Sequence, residues 1–146
     1  MNHPVYEVNY SQKEDRYVFE SIGKKGIILK VVKFVELQGN IYNLGFGDFD
    51  PNTNQVDDIV VTDNGDTVKV LATIVSIVID FLSKNPTSFV FFEGSTESRT
   101  RLYQIAINLY YNEFIKMFEM YGLNNGQPES FQKNKSYESF LIKKMF

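Results

Sequence analysis

The chain contains no cysteine. Disulfides, thiolate nucleophiles and cysteine-ligated zinc are thereby excluded. Its one histidine, His3, stands at the start of the chain, so chemistry that turns on an imidazole is not expected. Carboxylates, Tyr, Ser, Thr, Lys and Arg remain as reactive groups, with a hard cation as an optional helper. The longest apolar stretch, Val68–Leu82, is broken by Lys69, Thr73, Ser76 and Asp80, which excludes an ordinary membrane span. The segment Met1–Tyr10 has neither a basic patch nor an apolar core and does not read as a signal peptide. A cytoplasmic protein with no membrane attachment is the expectation. Repeats, low-complexity tracts and long linkers are also missing.

What is present suits a packed interior. The chain has 146 residues, 43% of them hydrophobic, with 13 Phe and 9 Tyr. That length fits a single domain over residues 1–146 and argues against disorder. The net charge of −3 is uneven: residues 1–66 carry −5 and residues 67–146 carry +2. Such a chain lacks the field of a nonspecific nucleic-acid binder, although a local basic patch in the second half stays open.

The first half reads as strands. Arg16–Ile22 and the β-branched run Gly26–Leu37 are followed by a turn at Gln38-Gly39-Asn40 and a strand over Ile41–Asp48. The last alternates Tyr42, Leu44 and Phe46 with Asn43, Gly45 and Gly47, the period of a half-buried strand. A short Gly-Asn turn between two runs predicts an antiparallel hairpin. A further strand is expected over Val56–Thr62. Thr67–Lys84 is rich in Val and Ile, yet its polar residues recur at helical spacing, which predicts a largely buried helix with Asp66 as N-cap. Ser88–Glu93 reads as a buried strand, Thr96–Tyr121 as a second helix closed by Gly122, Leu123–Lys135 as a loop and Ser136–Lys144 as an interior strand. The predicted order is strands, helix, strand, helix, strand. This is an α+β fold with a mainly antiparallel sheet covered by two long helices.

Five runs occur in order: Gly47-Asp48, Asp57-Asp58, Asn64-Gly65-Asp66, Val70-Leu71-Ala72-Thr73 and Gly94-Ser95-Thr96-Glu97-Ser98-Arg99-Thr100-Arg101-Leu102-Tyr103. Together they resemble an uncharacterised family of small bacterial proteins, a domain of unknown function. The last run is the most specific part. The resemblance implies a single cytoplasmic domain and no particular activity.

Strand, Gly-Ser-Thr, helix is an arrangement that leaves backbone amides at a helix N-terminus, where the helix dipole favours an anion. Arg99 and Arg101 add donors suited to phosphate or carboxylate. Ser95, Thr96, Arg99 and Arg101 are therefore candidate ligands for a phosphate-bearing or acidic partner. The same residues also read as ordinary helix capping with both arginines on the surface. At about 100° per residue, Arg99 falls inside the apolar arc of the helix and Arg101 among its polar residues. Glu113 also falls near the apolar arc, so it is either paired, a perturbed acid with a raised pKa, or an acid solvated at that edge.

Asp48, Asp50, Asp57, Asp58, Asp63 and Asp66 lie close in sequence. Asp48, Asp57 and Asp58 are candidate ligands of a divalent cation such as magnesium or calcium. The run from Asp48 to Asn54 departs from a calcium loop, with Thr53 and Ile59 where glycine and glutamate belong, and turn chemistry is the alternative reading. Otherwise no cofactor is expected. Three functions compete: a binding module for an anionic partner, a metal-dependent phosphoester hydrolase in which Arg99 steadies the phosphate, and a homo-oligomeric interaction protein.

Overall fold

The residues Lys69, Thr73, Ser76 and Asp80, spaced by four, three and four, lie on one helix in the computed structural model. That helix, α1, is Thr67–Lys84. The structure describes residues 4–53, 55–57, 64–94 and 96–145, and of Asp57 the backbone alone. Ala72, Thr73, Ile77 and Leu82 are fully or almost fully buried, so packing of an apolar face overrides the strand propensity of the Val and Ile side chains. Thr73 satisfies its buried hydroxyl locally, donating to Lys69 O at 2.7 Å and accepting from Tyr6 N at 3.0 Å. Asp66 leads into the helix: its carbonyl accepts from Val70 N. Its carboxylate Oδ2 accepts from Tyr6 OH and Ser21 OH at 2.5 and 2.6 Å. No helix among the described residues is long and apolar enough to cross a membrane.

Two compact units are built from this chain, one from residues 2–34 and 45–79 and the other from 35–44 and 80–146. The first holds strands β1 (Asn9–Ser11) and β2 (Arg16–Gly23), β3 (Gly26–Gln38) as far as residue 34, β4 (Ile41–Asp50) from residue 45 on, and β5 (Gln55–Asp57), in sequence order and each hydrogen-bonded to the next. The pairs β1–β2, β2–β3 and β4–β5 are antiparallel. Phe19 and Phe46 stack with ring centroids 6.5 Å apart in its core. The expected strand over Val56–Thr62 is seen only as Gln55–Asp57, and residues 58–63 lie outside the described residues.

In the second unit, β4 pairs in parallel with β6 (Phe89–Phe92), the exception to an otherwise antiparallel arrangement. Beside β6 in this unit stand β9 (Ser139–Lys144), β7 (Phe118–Asn124) and β8 (Gln127–Ser130), in that spatial order and all antiparallel. β9 lies between β6 and β7, an interior strand as its two apolar faces require. Phe92 stacks on Phe140 at 5.1 Å and meets Tyr103 edge-on at 5.3 Å.

The expectation of two long helices is corrected here. Helix α2, Glu97–Leu109, ends at Tyr110, and a short helix α3 spans Tyr111–Met117. Phe118 then turns extended (φ −132, ψ 149) and the chain runs into β7. The described residues therefore hold three helices and nine strands, and the order strands-helix-strand-helix-strand gives way to one with two further strands after α3. The cause is non-local: residues 118–123 pair with β9 residue by residue from Phe118↔Lys144 to Leu123↔Ser139. Gly122 is no helix stop but a strand residue, where an added Cβ would strike the Tyr137 ring. The segment Leu123–Lys135, read as a loop, contains β8. Asn125 (φ 53) and Gly126 (φ 73) make the β7–β8 turn, the Asn-Gly pair of a tight hairpin.

Candidate functional site

Glu93 and Gly94 follow β6, and Thr96 caps α2. Thr96 is extended (φ −136, ψ 163), and its hydroxyl accepts from Arg99 N at 3.2 Å. Thr100 closes the turn: its hydroxyl accepts from Gly94 N at 2.9 Å and donates to Thr96 O at 3.2 Å. A Cβ at Gly94 would stand 2.6 Å from the Arg99 Cβ, so this close approach of turn to helix needs glycine. Ser95 lies outside the described residues.

The two arginines part as the helical spacing predicts. Arg99 is buried, 7% exposed, on the side of α2 that also buries Tyr103, Ala106 and Ile107. It engages in further interactions and is not a free cation. Arg101 is exposed. Tyr103 and Tyr110 are core residues. Glu113 is exposed in the first turn of α3, which favours the solvated reading. Burial, reinforced by the Glu113 charge, pushes the Tyr110 hydroxyl above its usual range. The expected contrast is therefore clear. Arg99→Ala should cost on the order of 2 kcal/mol through lost packing and lost contacts. Glu113→Ala should stay within about 0.5 kcal/mol. Urea unfolding of the two variants measures both.

A cleft of about 530 Å³ opens at this turn. One wall carries Glu93, Thr96, Glu97, Arg101 and Gln104. The other carries Asn124, Ser136, Tyr137 and Glu138. The second wall is tightly braced. Asn124 Oδ1 accepts from Glu138 N at 3.1 Å, and Asn124 Nδ2 donates to Ser136 O at 3.2 Å. The Glu138 carboxylate accepts from Asn125 N at 2.5 Å. Tyr137 lies over Gly122, and its hydroxyl donates to Glu129 Oε2 at 2.8 Å. Lys135 Nζ reaches both oxygens of Glu129 at 2.8 Å. The hydrogen bond from Lys135, then that from Tyr137, holds the Glu129 carboxyl below its usual range. Burial is the main cause that raises the Tyr137 hydroxyl.

The first wall is charged and unneutralised. Among the described residues, Glu93, Glu97 and Arg101 form no ion pair within 4 Å, with one another or with any other group. Gln104 adds an acceptor. Asn134 N donates to Asn108 Oδ1 at 3.4 Å, so that oxygen receives Gln104 Nε2 at 3.5 Å. This fixes the amide of Gln104 and leaves its Oε1 buried with no hydrogen-bond partner. The cleft thus presents three carboxylates and one guanidinium. Of the expected anion ligands, Thr96 and Arg101 line it. Arg99 does not.

The aspartates belong to the other unit. Asp48 pairs with Lys30 Nζ at 2.6 Å; Lys30 is 1% exposed and Asp48 13%. Asp57 is the backbone partner of Asp48 in the β4–β5 ladder, and Asp58 lies outside the described residues. A cation at Asp48 would have to displace a buried ammonium. Among the described residues, no group of three or more His, Asp or Glu is placed to hold a metal ion.

Sequence reasoning missed Asn124, Tyr137 and Glu138. The available signal was Asn125-Gly126, which makes residues 118–130 a hairpin and brings its strand beside the last one. Comparison with known proteins gives one family model, of unknown function (DUF6934), matching residues 2–145. No curated protein and no solved structure matches the chain.

Proposed function

The chain belongs to this family of unknown function, and from the cleft itself we propose that it is a ligand-binding module. The ligand is small and carries an ammonium or guanidinium group together with one carboxylate, as a basic amino acid does. The supporting observation is the set of charged groups around the cleft that do not neutralise each other: the carboxylates of Glu93, Glu97 and Glu138 against the single positive charge of Arg101. A phosphate-bearing ligand would meet this net negative lining at close range, and like charges disfavour it. A cationic head is attracted by the carboxylates, while Arg101 takes the carboxylate of the ligand. The volume lies within the roughly 300–1,000 Å³ of small-molecule sites. Thr96 and Arg101 keep the role of ligand contacts, and the expected sign of the ligand is revised. Metal-dependent hydrolysis draws no support from Asp48, whose carboxylate is engaged by Lys30.

Calorimetric titration with L-arginine, agmatine and inorganic phosphate separates the readings. Arginine should bind about tenfold more tightly than agmatine, which lacks the carboxylate, because a charge-assisted pair adds about 1.5 kcal/mol. Arg101→Ala should abolish that difference, and Glu93→Gln with Glu97→Gln should weaken both ligands. Phosphate binding without arginine binding would restore the anion site and overturn this reading.

A further inference from the structure

The turn between β2 and β3 is braced beyond what two residues need. Asn64, 1% exposed, donates from Nδ2 to Ser21 O, Ser21 Oγ and Gly26 O at 3.3, 3.2 and 2.9 Å. Its Oδ1 accepts from Lys25 N at 2.6 Å, and its carbonyl accepts from Lys24 N at 3.2 Å. A Cβ at Gly23 would strike the Asn64 carbonyl, and Gly26 has φ +90. Both glycines are therefore fixed by this geometry.

The braced turn displays apolar surface. Ile22 and Ile27 are direct partners in the β2–β3 ladder and are 59% and 67% exposed. Opposed residues share a face, so they form one patch. Glu20, itself opposite Leu29, continues that face, and Lys24 and Lys25 stand at the tip. Among the described residues the side chains of Glu20, Lys24 and Lys25 make no ion pair or hydrogen bond. A rigid, exposed apolar pair ringed by free charges of both signs is a surface built to be covered.

We propose that the occupant is a second copy of this chain, packed by the Ile22–Ile27 patch across a two-fold axis. In such a contact each surface meets itself. Glu20 and Lys24 are each two residues from Ile22. With the axis lying in the contact plane and perpendicular to the strands, strand direction reverses between the copies, and Glu20 of one copy comes against the Lys24–Lys25 turn of the other, twice. The patch supplies its own counter-charges. An anionic membrane would attract the lysines but meet Glu20 on the same face, so a second copy fits better. This surface is independent of the cleft.

Sedimentation of the full chain at about 5–500 μM tests the contact over the range of weak dimers. The expected result is concentration-dependent dimerisation that Ile27→Asp weakens at least ~30-fold, the effect of losing a central contact. Lys24→Glu with Lys25→Glu should weaken it too, and adding Glu20→Lys should restore it. All four residues are exposed, so melting followed by circular dichroism should show the variants folded. A chain that stays monomeric throughout, a dimer indifferent to Ile27→Asp, or a charge reversal that Glu20→Lys does not rescue would each overturn the proposal.

Discussion

Replacing Lys30 with alanine is expected to destabilise the fold by about 3–5 kcal/mol, the usual cost of removing one member of a buried ion pair. Lys30 is 1% exposed, its Nζ lies 2.6 Å from Asp48 Oδ1 and 5.9 Å from the centre of the Phe46 ring. Asp48 is 13% exposed, so the carboxylate left behind recovers little solvation. The cost comes mainly from the abandoned charge, not from the attraction lost. Lys30→Met combined with Asp48→Leu should therefore recover most of the loss. Urea unfolding of the single and double variants measures both. A single variant within about 1 kcal/mol of the parent would show that Asp48 finds water or another donor.

Gly122→Ala carries the second large effect, about 1–3 kcal/mol, as expected for overpacking. The new methyl would meet the Tyr137 ring. That ring is 5% exposed, lies 5.3 Å from Phe131 and 6.3 Å from Phe140, and is tied through its hydroxyl to Glu129. It cannot step aside cheaply. Because Tyr137 also lines the cleft, arginine affinity should fall together with melting temperature. Tyr137→Phe keeps the ring and loses only the two hydroxyl bonds, the one to Glu129 and the one accepted from Gln132 N at 3.1 Å, so its stability loss should sit at the lower end of that range, on the order of 1 kcal/mol. Thermal melts and arginine titration of the two variants separate ring position from hydroxyl bonding. A Gly122→Ala protein with parental stability would show that the ring is not confined.

These contacts also show where the sequence could be read and where it could not. Helix α1 was legible to the residue because Lys69, Thr73, Ser76 and Asp80 mark one face of a local periodicity. The inward turn of Arg99 followed from the same geometry on α2. The extended run 118–124 was not legible as a strand. It continues a helical pattern, and the ladder with β9 that pulls it straight joins residues far apart in sequence. The candidate site divided along the same line. Thr96 and Arg101, expected from a local motif, line the cleft. Asn124, Tyr137 and Glu138 reach the cleft only through the register of β7 against β9. The Asp48–Lys30 pair was hidden likewise, since a run of aspartates does not show which cation lies on the neighbouring strand.

The binding claim is tested most directly by recording backbone amide spectra of the full chain while L-arginine is added. Shifts should concentrate at residues 93–104 and at 124 and 136–138, saturate together, and vanish in the Arg101→Ala, Glu93→Gln, Glu97→Gln triple variant. Shifts that scatter over the chain, or that persist in the triple variant, would contradict a ligand site at this cleft.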